Sequence, residues 1–219
     1  EARWIQSWLK EEFGHDASYT PNGLDPAIIG MTVPLEPKNA RVRVLLEGPI
    51  CIPFKGMKDA FAAVRDLDCE IWCVSSAGKP EEGWRCDRFF EAVPMVEMKR
   101  IYSSCDVLLK MSRVEGFFGP PLEMMACGGT AVVSKVTGYD EYIVDGVNAL
   151  VVEQGDVEGA RTAVKKLIED PKLRLRLSEE GAKTAACWRW EPTIDTLESL
   201  FSQNSPSVEK RGNRQVVPS

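Results

Sequence analysis

Two glutamates, Glu115 and Glu123, bracket the stretch EGFFGPPLE, and the residues between them are of the kinds that let a backbone approach a ligand closely. A carboxylate only accepts hydrogen bonds, so a pair of them suits a ligand rich in hydroxyl groups. Gly116 and Gly119 permit tight backbone angles, and Pro120 and Pro121 fit the opening positions of a helix, where a missing amide hydrogen costs nothing. Leu122, Met125 and Ala126 give that helix an apolar face. On this reading the amides of Phe117, Phe118 and Gly119 stand unpaired at the positive end of the helix, an anion site of the kind that holds a diphosphate. One unbroken helix would set the carboxylates about 80° apart. The glycines and prolines break it, so Glu115 belongs to the incoming loop and Glu123 to the first helical turn, facing one pocket at different depths. Taken singly, Glu123 could complement the helix dipole and Glu115 could be a solvated charge; together with the glycines they favour a site. Of Phe117 and Phe118, one is expected in the core and the other on the pocket wall.

Other candidates carry less. Lys55 precedes Gly56 in the loop after the first expected strand, where an open parallel sheet exposes ligands, and could neutralise a diphosphate; a solvated lysine at a helix start fits the local residues equally well. Asp66-Leu67-Asp68 has the short Asp-x-Asp form that can hold a metal and a nucleotide, but two fixed residues in an acidic loop carry little weight. There is no phosphate-binding loop of the Walker type, no G-x-G-x-x-G, and no serine elbow to pair with the single histidine, His15. Seven cysteines without a C-x-x-C pair read as reduced, mostly buried thiols, and no metal site is expected. A net charge of -6 argues against nucleic acid or an anionic membrane surface as the main partner.

The elements that must position these residues follow from periodicity. Trp4, Ile5, Trp8, Leu9 and Phe13 recur at helical spacing and Gly14 stops them. A short strand is expected at Ala17 to Thr20, then the turn Pro21-Asn22-Gly23 and a proline-rich passage. From there strands alternate with helices, the pattern of a parallel sheet covered on both faces. Strands are expected at Val42 to Leu46, Glu70 to Ser75, Arg88 to Val93, Val107 to Lys110, Ala131 to Ser134 and Ala149 to Val152. Helices are expected from Met57 to about Leu67, from Pro94 to Ser103, from Asp156 to Glu169, from Lys172 towards Ala186 and after Pro192, with a helical turn at Glu141 to Val144. No apolar run reaches the length of a membrane span.

With these landmarks in order, the chain resembles the C-terminal half of a retaining glycosyltransferase of the GT-B fold, in the glycosyltransferase group 1 family. The resemblance rests on the E-x7-E spacing of Glu115 and Glu123, on Asn22-Gly23-Leu24-Asp25, Lys55-Gly56, Gly138-Tyr139-Asp140-Glu141 and Asp145-Gly146-Val147-Asn148, and on the helices around Asp170-Pro171 and Trp190. It implies an α/β, Rossmann-like sheet with helices on both faces and a helical C-terminus. It also implies a division into residues 1–20 as a remnant of an N-terminal acceptor domain, 21–40 as an interdomain linker, 41–201 as the nucleotide-sugar-binding domain, and 202–219 as a polar tail expected to be disordered. Glu115 would meet hydroxyls of the transferred sugar and Glu123 the ribose. The amides of Phe117, Phe118 and Gly119 would meet sugar and phosphates, Lys55 and the strand-ending Gly48 the diphosphate, and the backbone at Ala92 and Val93 the nucleobase. No protein nucleophile and no cofactor is implied; the nucleoside diphosphate sugar is a substrate. The partner would be the missing N-terminal domain, the piece alone would be inactive, and the location would be the cytoplasm, with any membrane association made through the missing part. Three departures stand out: Pro49 occupies the place of an arginine, Gly128-Gly129-Thr130 that of a Gly-x-Pro after the helix, and Glu91 or Ala92 that of a glycine before the base-binding loop. They raise an alternative reading as a non-catalytic GT-B binding or scaffold subunit, beside a third as another GT-B enzyme such as a sugar-nucleotide epimerase or a phosphorylase.

Overall fold

The computed structural model describes residues 1–204. An opening helix α1 (Arg3–Phe13) is closed by Gly14 in the left-handed conformation, as the spacing of its apolar residues predicts. The chain then reaches the sheet. Its six strands are β1 (Arg43–Glu47), β2 (Glu70–Ser75), β3 (Arg88–Glu91), β4 (Val107–Lys110), β5 (Thr130–Ser134) and β6 (Leu150–Val152). All pair in parallel, in the order β3-β2-β1-β4-β5-β6. Between them lie α2 (Met57–Val64), α3 (Met95–Ser104) and α4 (Gly119–Ala126), and after them α5 (Val157–Glu169), α6 (Pro171–Ala186) and α7 (Glu191–Asn204).

Because both faces are covered, the inner strands read as apolar runs, and alternate residues serve opposite cores. Leu45, Trp72 and Leu108 point to the α3 and α4 side, joined by Tyr102, Phe118 and Leu122. Leu46, Cys73 and Leu109 point to the α2 and α5 side, joined by Phe61, Val64 and Val164. Removing any one of these large side chains from water is worth about 1.5–3 kcal/mol, so the two layers together hold the sheet between them. Caps sharpen the helix starts: the Asp156 carboxylate accepts from the Gly159 amide at 2.8 Å and the Asp170 carboxylate from the Leu173 amide at 2.9 Å.

The sheet order reverses between β1 and β4: β2 and β3 build outward on one side and β5 and β6 on the other. In an open parallel sheet, the crevice beyond the carboxyl ends of the two strands at such a reversal is where ligands bind.

Several expected elements differ. Ala17 to Thr20 forms no strand: it is held by side chains, the Ala17 carbonyl accepting from Gln6 and the Tyr19 hydroxyl donating to Glu141 at 2.6 Å. A period-two pattern cannot supply a partner strand. Helix α2 stops at Val64, where a turn closes from the Leu67 amide to the Val64 carbonyl at 3.1 Å. Strand β3 stops at Glu91, because Ala92 adopts a positive φ of 49° and Pro94 cannot donate to a ladder. The helical turn near Glu141 is a 3-10 turn at Tyr139–Glu141, started by Gly138 rather than by Glu141. Helix α7 runs to Asn204, through the start of the expected tail, whose remaining residues 205–219 lie outside the described residues.

The passage 21–40 is packed, not extended. Leu24 makes an isolated bridge to Arg189, Ile29 is buried, and the Leu35 amide donates to the Arg100 carbonyl at 3.1 Å.

Candidate functional site

Two loops meet over the crevice. After β1 the chain makes a 3-10 turn at Pro53–Lys55, and Gly56 then starts α2 with φ 64°. A side chain at Gly56 would collide with the Met111 carbonyl just beyond β4, so only glycine lets the two loops touch here. After β4 the loop carries Glu115 to the start of α4.

The touching loops bring together the two residues placed at this crevice by different arguments. Lys55 Nζ donates to Glu115 Oε2 at 2.8 Å, across 60 positions of sequence. Glu115 is buried, its backbone carbonyl accepts from Thr137 Oγ1 at 2.9 Å, and its Oε1 is buried with no hydrogen-bond partner. Leaving a carboxylate oxygen in that state costs a folded protein free energy that a hydroxyl donor would recover.

Glu123 stands on the first turns of α4, and its Oε2 accepts from the Tyr102 hydroxyl of α3 at 2.8 Å. Burial pushes the Glu123 carboxyl above the usual carboxylate range, a trend that the Tyr102 hydrogen bond opposes. The Tyr102 phenol is in turn raised well above its ordinary value, by burial first and by Glu123 second. Glu123 and Tyr102 line a cavity of about 170 Å³ whose other walls include Val93, Met95 and Met98.

Phe118 is fully buried in the core, while Phe117 is partly buried against Tyr142 and Trp188, with ring centroids 5.9 and 5.5 Å away. The Gly119 amide is not unpaired: it donates to the Phe117 carbonyl at 3.0 Å, closing a tight turn before the prolines. The Phe117 and Phe118 amides make no such bond to the described residues. Gly48, at the end of β1, has φ 147°, which favours glycine, and a side chain there would press on Met57. Of the two residues named for the missing glycine, Ala92 has the left-handed backbone. Pro49 leaves this loop without a guanidinium beside Lys55.

The acidic pair Asp66 and Asp68 lies at the opposite, amino end of the strands. Asp66 pairs with Arg65 and Arg161, and Asp68 with Arg41. All seven cysteines fall among the described residues and are unpaired, four of them buried.

Periodicity did not single out Lys110 or Glu47. These last residues of β4 and β1 form an ion pair of 2.6 Å at the floor of the crevice, the lysine buried and the glutamate partly exposed. The signal was present as a lysine closing an otherwise apolar strand, VLLK, beside a strand closing in glutamate, RVLLE.

Residues 1–20 lie over the loop after β4. Trp4 Nε1 donates to the Gly116 carbonyl at 3.0 Å, and Arg3 and Tyr19 both bind Glu141.

The sheet order and the crevice define a class: a Rossmann-like α/β unit with a ligand cleft beyond the carboxyl ends of β1 and β4. Residues 88–184 match the family model described as glycosyl transferases group 1. A D-inositol 3-phosphate glycosyltransferase of Corynebacterium jeikeium is 30% identical over 131 residues, which is 60% of this chain and 31% of that protein. An uncharacterized glycosyltransferase of Methanocaldococcus jannaschii is 24% identical over 162 residues, 70% of this chain and 46% of that protein. The chain thus spans about a third to a half of the curated relatives it matches. Among solved structures, Anabaena HepE in complex with UDP and glucose superposes with a TM-score of 0.78 at 16% identity, over 92% of this chain and 62% of that one. Sucrose-phosphate synthase from Thermosynechococcus elongatus gives 0.77 at 17% identity, over 92% and 56%. In sequence over residues 88–184, and in fold over nearly all of its described length, the chain resembles the Rossmann-like half of GT-B glycosyltransferases of group 1.

No helix among the described residues is long and apolar enough to cross a membrane.

Proposed function

We propose that this chain is the donor-binding part of a retaining glycosyltransferase that moves a sugar from a nucleoside diphosphate sugar to an acceptor. The observation that carries the reading is the state of Glu115: one carboxylate oxygen held by Lys55, the other buried without a partner, at the crevice where the sheet order reverses. A sugar hydroxyl is the donor that would complete it. The Lys55 ammonium is the cation at hand to neutralise the diphosphate as it leaves, which is electrostatic stabilisation of the developing charge. Gly48 lets the diphosphate approach the end of β1, Glu123 receives the ribose, and the backbone at Ala92 and Val93 receives the base. The Phe117 and Phe118 amides remain for the sugar and phosphate oxygens, while the Phe118 side chain serves the core. With no protein nucleophile in this arrangement, the leaving phosphate assists attack on the same face, and the protein contributes position and charge. The acceptor is met by an N-terminal domain, of which residues 1–20 are part and which residues 21–40 join to this one; residues 41–201 bind the donor, and no cofactor takes part. The protein works in the cytoplasm.

Titration calorimetry of the protein with UDP, GDP, ADP and dTDP sugars tests the reading. Saturable binding of one of them, weakened by Lys55→Ala and Glu115→Ala, is expected; binding of none would sink it. Pro49 favours a second reading, a binding or scaffold subunit without turnover. Product formation that disappears in Glu115→Ala excludes that reading.

A further inference from the structure

Glu47 and Lys110 are cross-strand neighbours: the ladder pairs Leu46 with Leu109, and the next residue on each strand completes the row. Their side chains therefore enter the same layer, the one that holds Leu45, Leu108 and Tyr102. Lys110 is 3% exposed and donates twice to one residue, to Glu47 Oε2 at 2.6 Å and to the Glu47 carbonyl at 2.9 Å. It fixes both the backbone and the side chain of Glu47. The fold does not require this: the neighbouring row on the same face, Leu45 and Leu108, is apolar, and replacing a buried ion pair by apolar groups often costs nothing.

What the pair achieves is an oriented carboxylate. Glu47 lines the 170 Å³ cavity together with Glu123. The two glutamates are held alike. Each has its Oε2 occupied, by Lys110 or by Tyr102, and each leaves Oε1 without a hydrogen bond from any described residue. Two free acceptors on one small cavity match a ligand with two adjacent donors. The lysine and glutamate cancel in charge, so the pair adds no attraction for phosphate, and the apolar wall of Val93, Met95 and Met98 suits a base plane, not a sugar edge.

We infer that Glu47, positioned by Lys110, is a second ribose-reading carboxylate, so that Glu47 and Glu123 each accept one hydroxyl of the vicinal diol of the donor nucleoside. The inference rests on the nucleotide-sugar reading above. Glu47 is a binding residue, and Lys110 acts through it.

The test compares UDP, GDP and ADP with their 2′-deoxy and 3′-deoxy forms by calorimetry, so that the transferred sugar plays no part. The wild-type protein is expected to bind one ribonucleotide about tenfold or more tighter than either deoxy form, the worth of one charge-assisted hydrogen bond. Glu47→Gln should shrink the penalty for one deoxy form, and Glu123→Gln the penalty for the other. The double variant Glu47→Leu/Lys110→Met removes both charges without stranding one, and should erase the same single penalty as Glu47→Gln does. Retention of both penalties in the double variant, or an equal loss for every form, would overturn the inference and leave the nucleotide-sugar reading standing. Failure of the wild type to bind any nucleotide would overturn both.

Discussion

Two lysine-glutamate pairs bridge the same two strands at the crevice, with their charges in opposite order. In the lower pair the glutamate ends β1 and the lysine ends β4, 2.6 Å apart. In the upper pair the lysine follows β1 and the glutamate follows β4, 2.8 Å apart. The lower pair sits on regular strands, its lysine 3% exposed and doubly bonded to one residue. The upper pair sits on loops, its lysine side chain 21% exposed and its glutamate short of one partner. The difference teaches where structure and function separate. A cation locked between strands is a positioning device, whereas one on a loop can exchange a carboxylate for a phosphate when a ligand arrives.

Breaking each pair should therefore read out differently. The largest effect expected is on stability: Lys110→Met strands the Glu47 charge and should cost about 3 kcal/mol in urea unfolding, and adding Glu47→Leu should recover most of it. If the single variant is as stable as wild type, the two pairs do not differ in kind. Next comes Glu115→Ala, expected to lower the proposed sugar transfer, measured in the protein with its acceptor domain, by about a hundredfold, roughly 2.7 kcal/mol, while moving the melting temperature little. A collapse of stability with that change would show that Glu115, like Lys110, is chiefly structural.

Ala92 extends the contrast to the loop after β3, where backbone strain replaces charge. Ala92→Gly relieves a left-handed residue and should add about 1 kcal/mol, or roughly 2–4 °C in melting temperature. The smallest effect concerns Glu123, which leans on the neutral Tyr102 hydroxyl and not on a cation. Its folded carboxyl titrates above the usual range because of burial, so the folded chain keeps a proton that the unfolded chain has already released. That contribution to stability is present at acid pH and fades as pH rises from the ordinary carboxylate range through the raised one. Glu123→Gln cannot titrate, so its stability relative to wild type should grow across that window when unfolding is followed at several pH values. A flat difference would mean that Glu123 is not held above its ordinary range.

Much of this was legible in the residues themselves. The alternation of apolar strands with amphipathic helices gave the parallel sheet, since that pattern has one good way to bury both strand faces. Glu115, Glu123 and the glycines between them announced a turn before a helix, and Lys55-Gly56 a loop beyond a strand. Local chemistry overreached where a neighbour decided the outcome. The Gly119 amide, unspoken for in a linear reading, is taken by Phe117 two residues back, and Ala17 to Thr20 has strand-like residues but no strand beside it.

The sequence by itself determined the helices and the six strands of the sheet, because periodicity, caps and proline positions act over a few residues. Only the tertiary structure decided which of those elements meet. The pairing of Lys55 with Glu115 and of Glu47 with Lys110 depends on β1 and β4 being neighbours at the point where the sheet reverses. That adjacency spans some 60 residues and comes from burying two cores at once, a condition on the whole chain that no short pattern expresses.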